Sequence, residues 1–335
     1  MKSKFVLLCT MLFTSCTLFA NEPAALQSKE VDFFNQQNNR PVKIKFWYQG
    51  DTKPCDAKIC LSASQSPKRV AVISHGAFGS PREMNWLGYA LAAQGWVVAG
   101  VAHYGESWVY GAEKIDPSSV MRFWQRPQDI SFAISSLSSE GLFNIELENK
   151  QVLMLGHSSG GFTSLAMAGA TLDLAQSKNY CLSDKAKHDK GCDYGKQAQK
   201  PTYSKKMLHN IDNLQRQMHD ERIAAVVALD PALGHAAKQK SLAEVKIPTL
   251  IVGSVENDFL PYEFHAKYYA EHIERATLVG IEQGAGHFIY LDECKRATKV
   301  KGVALCIDRP GVERKVIQQQ ILKQIFTFIN RQSLS

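Results

Sequence analysis

Gly156-His157-Ser158-Ser159-Gly160-Gly161 carries the spacing G-x-S-x-G around a serine. Three fixed positions recur by chance in a chain of 335 residues, so the pattern takes its meaning from its surroundings. Gln151 to Leu155 is an apolar run that reads as a strand leading in, and Phe162 to Ala170 reads as a helix leading out. A strand, a sharp turn and a helix are what lift a serine hydroxyl out for attack on an acyl carbon. The glycines permit that turn, and the start of the helix favours the negative charge that develops there. Ser158 is therefore the candidate nucleophile.

A serine hydroxyl is a weak nucleophile until a base takes its proton. Of the ten histidines, His287 is best placed, in the flexible Gly284-Ala-Gly-His-Phe segment after the last expected strand. The chain order serine, acid, histidine suits a parallel-sheet scaffold of this kind. His75, His103, His157 and His235 also fall near strand ends or turns, where they read as structural hydrogen-bonders.

The base needs a carboxylate to hold its tautomer. Asp258 follows the strand expected at Thr249 to Val252 and lies one strand before the histidine loop, so it is the expected acid. Asp230, in Leu-Asp-Pro-Ala, reads mainly as a shaper of the turn beneath the pocket. It remains an alternative acid, as does Glu256. A tetrahedral intermediate also needs backbone donors for its oxyanion. Ser159, just after the nucleophile, supplies one N–H. Ala77, in Ser74-His-Gly-Ala-Phe-Gly, supplies the second, and Phe78 then lines the substrate pocket.

These loops need a frame. Val42 to Tyr48 reads as an early antiparallel strand, and further strands fall at Arg69 to Ser74, Trp96 to Ala102, Gln151 to Leu155, Ile223 to Leu229, Thr249 to Val252 and Ala276 to Val279. Met84, Leu87 and Leu91 recur at helical spacing, as do Ile130, Ile134 and Leu137. Val312, Val316, Ile317, Ile321, Ile325 and Phe328 mark a closing amphipathic helix. Strands alternating with helices predict an α/β domain with a mostly parallel sheet over 21–335. One polar stretch, 171–222, breaks the rhythm and ends in a helix from Ser204 to Met218. A connection this long reads as a cap over the site.

Lys2 and Lys4 precede an apolar stretch running to Phe19, followed by Ala20 and polar Asn21-Glu22. This predicts a signal peptide over 1–20, with no integral membrane span in the mature chain. The expected location is periplasmic or secreted, and Thr14-Ser15-Cys16 keeps a lipoprotein signal open. Six cysteines remain after the signal, in close pairs: Cys55 and Cys60, Cys181 and Cys192, Cys294 and Cys306. An even count in an exported chain points to disulfides. No Cys-x-x-Cys and no finger-like histidine spacing accompanies them, so no metal is expected. The net charge is +7, falling to +5 without Lys2 and Lys4, with both signs interspersed and no basic arm. That excludes a nucleic-acid footprint, so the expected partner is a small-molecule substrate of the serine site. The oligomeric state is left open.

Four segments carry a wider resemblance: Val72-Ile-Ser-His-Gly-Ala-Phe-Gly-Ser, Gly156-His-Ser-Ser-Gly-Gly, Val226-Val-Ala-Leu-Asp-Pro-Ala-Leu-Gly and Gly284-Ala-Gly-His-Phe. They resemble the bacterial proteins called predicted dienelactone hydrolases, a group similar to platelet-activating-factor acetylhydrolases and more distantly to polyester hydrolases. The resemblance runs from about Glu30 to Arg331 and is weakest in the cap. It implies the α/β-hydrolase fold, a serine–aspartate–histidine triad with Asp258 at the acid position, no cofactor, and carboxylic ester substrates of short to medium acyl chain. Dienelactone hydrolases themselves carry a cysteine nucleophile where this chain has Ser158, so the resemblance does not extend to dienelactone activity. A lipase, thioesterase, amidase or acyltransferase on the same triad is an alternative reading. So are a silent binding module and a lipid-anchored envelope protein.

Overall fold

The structure is a computed structural model that describes residues 25–148, 151–197, 211–293 and 298–332. The signal peptide, the first seven residues of the helix expected from Ser204 to Met218, and Cys294 lie outside the described residues. Eight strands form one sheet in the order β1-β2-β4-β3-β5-β6-β7-β8. They are β1 (Ala25–Asn35), β2 (Arg40–Gly50), β3 (Val70–Ser74), β4 (Val97–Ala102), β5 (Val152–His157), β6 (Ile223–Leu229), β7 (Thr249–Ser254) and β8 (Ala276–Ile281). The pairings β1·β2 and β2·β4 are antiparallel, and every pairing from β4 onward is parallel.

Side-chain alternation explains the layers. In β5, Val152 and Met154 enter one apolar core while Leu153 and Leu155 enter another; β3 divides Val70 and Val72 from Ala71 and Ile73 in the same way. A strand covered on both faces reads as a continuous hydrophobic run, which is what these sequences are. Helices α1 (Asn85–Ala93) and the C-terminal helix Arg314–Arg331 cover one face through Leu87, Leu91, Ile317, Ile321 and Ile325. Helices α2 (Gln125–Ser136) and α3 (Ser159–Met167) cover the other through Ile130, Ile134, Phe162 and Leu165. Each fully buried aliphatic side chain contributes about 1.5–3 kcal/mol.

Residues 171–222 hold two described helices, α4 (Leu174–Cys181) and α5 (Cys192–Gln197), and a short one at Ile211–Arg216. Asp173 caps α4 by accepting the N–H groups of Ala175 and Gln176. Cys181–Cys192 and Cys55–Cys60 are disulfides, with Cα atoms 5.5 and 5.7 Å apart. Cys306 is also disulfide-bonded. Strand β1 is the main element the sequence reading missed. Glu30, Asp32 and Phe34 on its outer face alternate with the more buried Val31, Phe33 and Asn35, and Lys29 interrupts the inner face, so no apolar run announces it. No described helix is long and apolar enough to cross a membrane.

Candidate active site

The parallel strands end on one edge of the sheet, and the turns leaving β3, β5, β6, β7 and β8 meet there. This is where α/β sheets place ligands. Ser158 occupies the turn between β5 and α3 with φ 56° and ψ −118°. Close packing enforces this left-handed conformation. A Cβ on Gly160 would overlap the Ser74 carbonyl, and one on Gly156 would overlap that of Gly160. The turn is pinned from both sides, with Ser158 N–H donating to Leu229 O at 3.0 Å and Ala232 N–H donating to Ser158 O at 3.0 Å. Phe78, Asp230 and Leu233 also take positive φ, so backbone strain gathers in the turns after β3, β5 and β6.

His287 Nε2 lies 2.9 Å from Ser158 Oγ, and both residues are buried. The loop carrying the ring is fixed through its backbone. His287 N–H donates to Asp258 Oδ1 at 3.0 Å, and His157 Nε2 donates to His287 O at 2.9 Å. Phe259 stacks on the ring at 5.2 Å with an interplanar angle of 11°.

The carboxylate that faces Nδ1 of His287 is Asp230, at 3.4 Å, and not the Asp258 to which strand order pointed. Asp258 spends its carboxylate on the His287 backbone N–H and on Arg309 Nη2, 3.3 Å away. The β7 loop instead sends Asn257 to the ring. Asn257 Nδ2 lies 3.3 Å from Nδ1 and donates to Asp230 Oδ2 at 2.8 Å. Glu256 points away, accepting from Gly284 N–H and lying 3.7 Å from Arg309 Nη1. Asp230 is buried and accepts a further N–H from Ser254 at 2.7 Å.

Burial opposes charge on both members of this pair. It pushes Asp230 up to about 8 and holds His287 down to about 3. The donors Ser254 N–H and Asn257 Nδ2 both favour the anionic carboxylate, and burial keeps the imidazole low. A neutral imidazole keeps the Nε2 lone pair that accepting the serine proton requires.

The turn after β3 lies against the nucleophile: a Cβ on Gly76 would sit 3.4 Å from Ser158 Cβ. Among the described residues, neither Ala77 nor Ser159 has a hydrogen-bond acceptor for its N–H. Phe78 follows with its ring 5.9 Å from Tyr194 of the 171–222 segment. Arg126, which the sequence reading did not single out, braces this turn. It donates to His75 O at 2.7 Å and Gly76 O at 3.2 Å, and pairs with Glu106 at 2.7 Å. His103 bridges Ser74 Oγ (2.8 Å) and Asp129 (3.1 Å), a structural role like the one expected for it. A charged residue at the start of an otherwise apolar helix face was the only signal for Arg126.

No family model matches the sequence, and no curated protein matches it. Among solved structures, the chain is similar to a ferulic acid esterase from Streptomyces cinnamoneus, at 15% identity and a TM-score of 0.55 over 93% of this chain and 92% of that one. Likeness at this identity concerns architecture, and it establishes the α/β-hydrolase fold without singling out a narrower family.

Proposed function

We propose that the protein hydrolyses carboxylic esters through an acyl-enzyme on Ser158, with His287 as general base and Asp230 as the acid that orients it. The observation that carries this reading is Ser158 Oγ at 2.9 Å from His287 Nε2 on a strained strand–turn–helix elbow. His287 takes the hydroxyl proton as Oγ attacks the acyl carbon. The N–H groups of Ala77 and Ser159 receive the oxyanion. His287 then returns the proton to the departing alcohol and activates a water for deacylation. The Asp230–His287 separation of 3.4 Å is long for a hydrogen bond, and such contacts tighten once substrate is bound.

The 171–222 segment acts as a cap in this reading. Tyr194 against Phe78, and Lys190 N–H donating to Phe259 O at 2.8 Å, support that placement. A covered pocket suits short to medium acyl groups. Export to the periplasm or beyond is part of the same proposal, supported by the apolar N-terminus and by the disulfides, which persist in oxidising compartments.

A panel of nitrophenyl esters from acetyl to palmitoyl, together with methyl ferulate, tests the reading. Turnover should be highest for the shorter acyl groups. Turnover of amides or thioesters with no ester cleavage would overturn it.

A further inference from the structure

Away from the triad, Asp189, His235 and His265 bring three ligand atoms within 4.8 Å of one another. All three residues are buried. His265 Nε2 lies 2.8 Å from Asp189 Oδ2, and His235 Nδ1 lies 3.8 Å from the same oxygen. The outer atoms are already held. Gly191 N–H donates to Asp189 Oδ1 at 2.8 Å, and Ser177 Oγ sits 3.3 Å from His235 Nε2. Tyr180 stacks on the His235 ring at 4.1 Å and fixes its plane.

Hydrogen bonding alone leaves this cluster unsatisfied. His235 Nδ1 is buried and has no partner among the described residues. His235 Nδ1 lies 3.8 Å from Asp189 Oδ2, beyond hydrogen-bond reach, so in either tautomer the two atoms make no direct bond and leave a spacing that a shared cation would bridge. Zinc bonds of about 2.1 Å place tetrahedral ligand atoms roughly 3.4 Å apart. The two observed separations, 2.8 and 3.8 Å, bracket that value.

We propose that Asp189, His235 and His265 form a binding site for one zinc-class divalent cation. The three residues come from separate parts of the fold. Asp189 belongs to the 171–222 segment, His235 follows the Asp230 turn, and His265 follows the Asp258 loop. The ion therefore ties the cap to the two loops that support His287. Lys190, adjacent to Asp189, already bonds to Phe259, which stacks on the His287 ring. The site stands apart from the hydrolytic reading, because its ligands do not touch Ser158.

The test uses the full chain with disulfides intact, stripped of metal with a chelator and titrated calorimetrically with Zn2+. One ion per chain should bind, and saturating zinc should raise the unfolding midpoint by at least about 4 °C. His235→Gln and Asp189→Asn should each weaken binding by at least about a hundredfold. Ser158→Ala should bind zinc as the parent does, so the result is independent of catalysis. If either ligand variant misfolds, visible absorption of the Co2+-substituted parent takes its place, with tetrahedral nitrogen–oxygen bands expected. Failure to bind stoichiometrically would overturn the proposal. So would undiminished binding in both variants, or binding only after thiol reduction. The last outcome would assign the ion to Cys181, Cys192 and His235, whose ligand atoms also converge.

Discussion

Asp230 reaches His287 from the end of β6, presenting Oδ2 to Nδ1 at 3.4 Å across a turn in which Asp230 itself takes φ 39°. The same turn is packed under the nucleophile helix, where a Cβ on Gly161 would come within 2.8 Å of Pro231 Cα. The strained backbone that aims the carboxylate is thus held by the elbow that aims the serine.

Exchanging the two aspartates separates orientation of the ring from orientation of its loop. Asp230→Asn should lower kcat by about four orders of magnitude, as when a triad acid becomes an amide. Asp258→Asn should cost about tenfold or less and act partly through stability, because it weakens the hydrogen bond to the His287 N–H without touching the ring. Steady-state kinetics with matched thermal melts distinguish them. A reversal at equal stability would return the acid role to Asp258.

The pH profile follows from the burial of His287. Only the neutral imidazole accepts the serine proton. Burial disfavours the imidazolium and lowers its pKa from the ordinary 6.5. Activity should therefore persist as pH falls through 6.5, with the acid limb of kcat/KM centred below that value. A limb centred at or above 6.5 would show that Asp230 keeps the pair's proton instead.

Glu106 and Arg126 form a buried ion pair beneath the turn that carries Ala77, with both side chains 4% exposed. Glu106→Ala leaves an unpaired guanidinium and should destabilise the protein by about 3–5 kcal/mol in urea unfolding. A loss below about 1 kcal/mol would mean that water reaches the arginine.

Gly160→Ala tests the elbow's packing. Its Cβ would overlap the Ser74 carbonyl, so either β3 shifts or the helix start unwinds. The expected cost is at least the 1–3 kcal/mol of an overpacked core, with ester turnover falling in the fraction that folds. An unchanged melting midpoint and unchanged turnover would show that the turn is slack.

Much of this was legible in the sequence because the signals were local. The apolar runs of β3 to β7 are buried on both faces, and Ser158 is framed by glycines between a strand and a helix within a dozen residues. The carboxylate that faces the His287 ring was not legible. Asp230 and Asp258 both follow parallel strands, and the choice depends on loop direction: β7 turns Asn257 toward the ring and Asp258 toward the His287 backbone. The Asp189–His235–His265 cluster left no spacing to read, since its members lie on three segments joined only by the fold. Arg126 showed only a charge on an apolar helix face, because its partners, Glu106 and the backbone carbonyls of His75 and Gly76, are brought to it by the fold.

The central claim, a nucleophile at Ser158 activated by His287, is tested most directly by covalent labelling. The protein is incubated with a fluorophosphonate, and its intact mass and peptide map are recorded beside residual ester hydrolysis. One adduct per chain should appear on the peptide containing Ser158, with activity lost in proportion to labelling, and Ser158→Ala or His287→Ala should take up none at a comparable rate. Full ester turnover in Ser158→Ala with its fold intact, or stoichiometric labelling at another residue, would contradict the account.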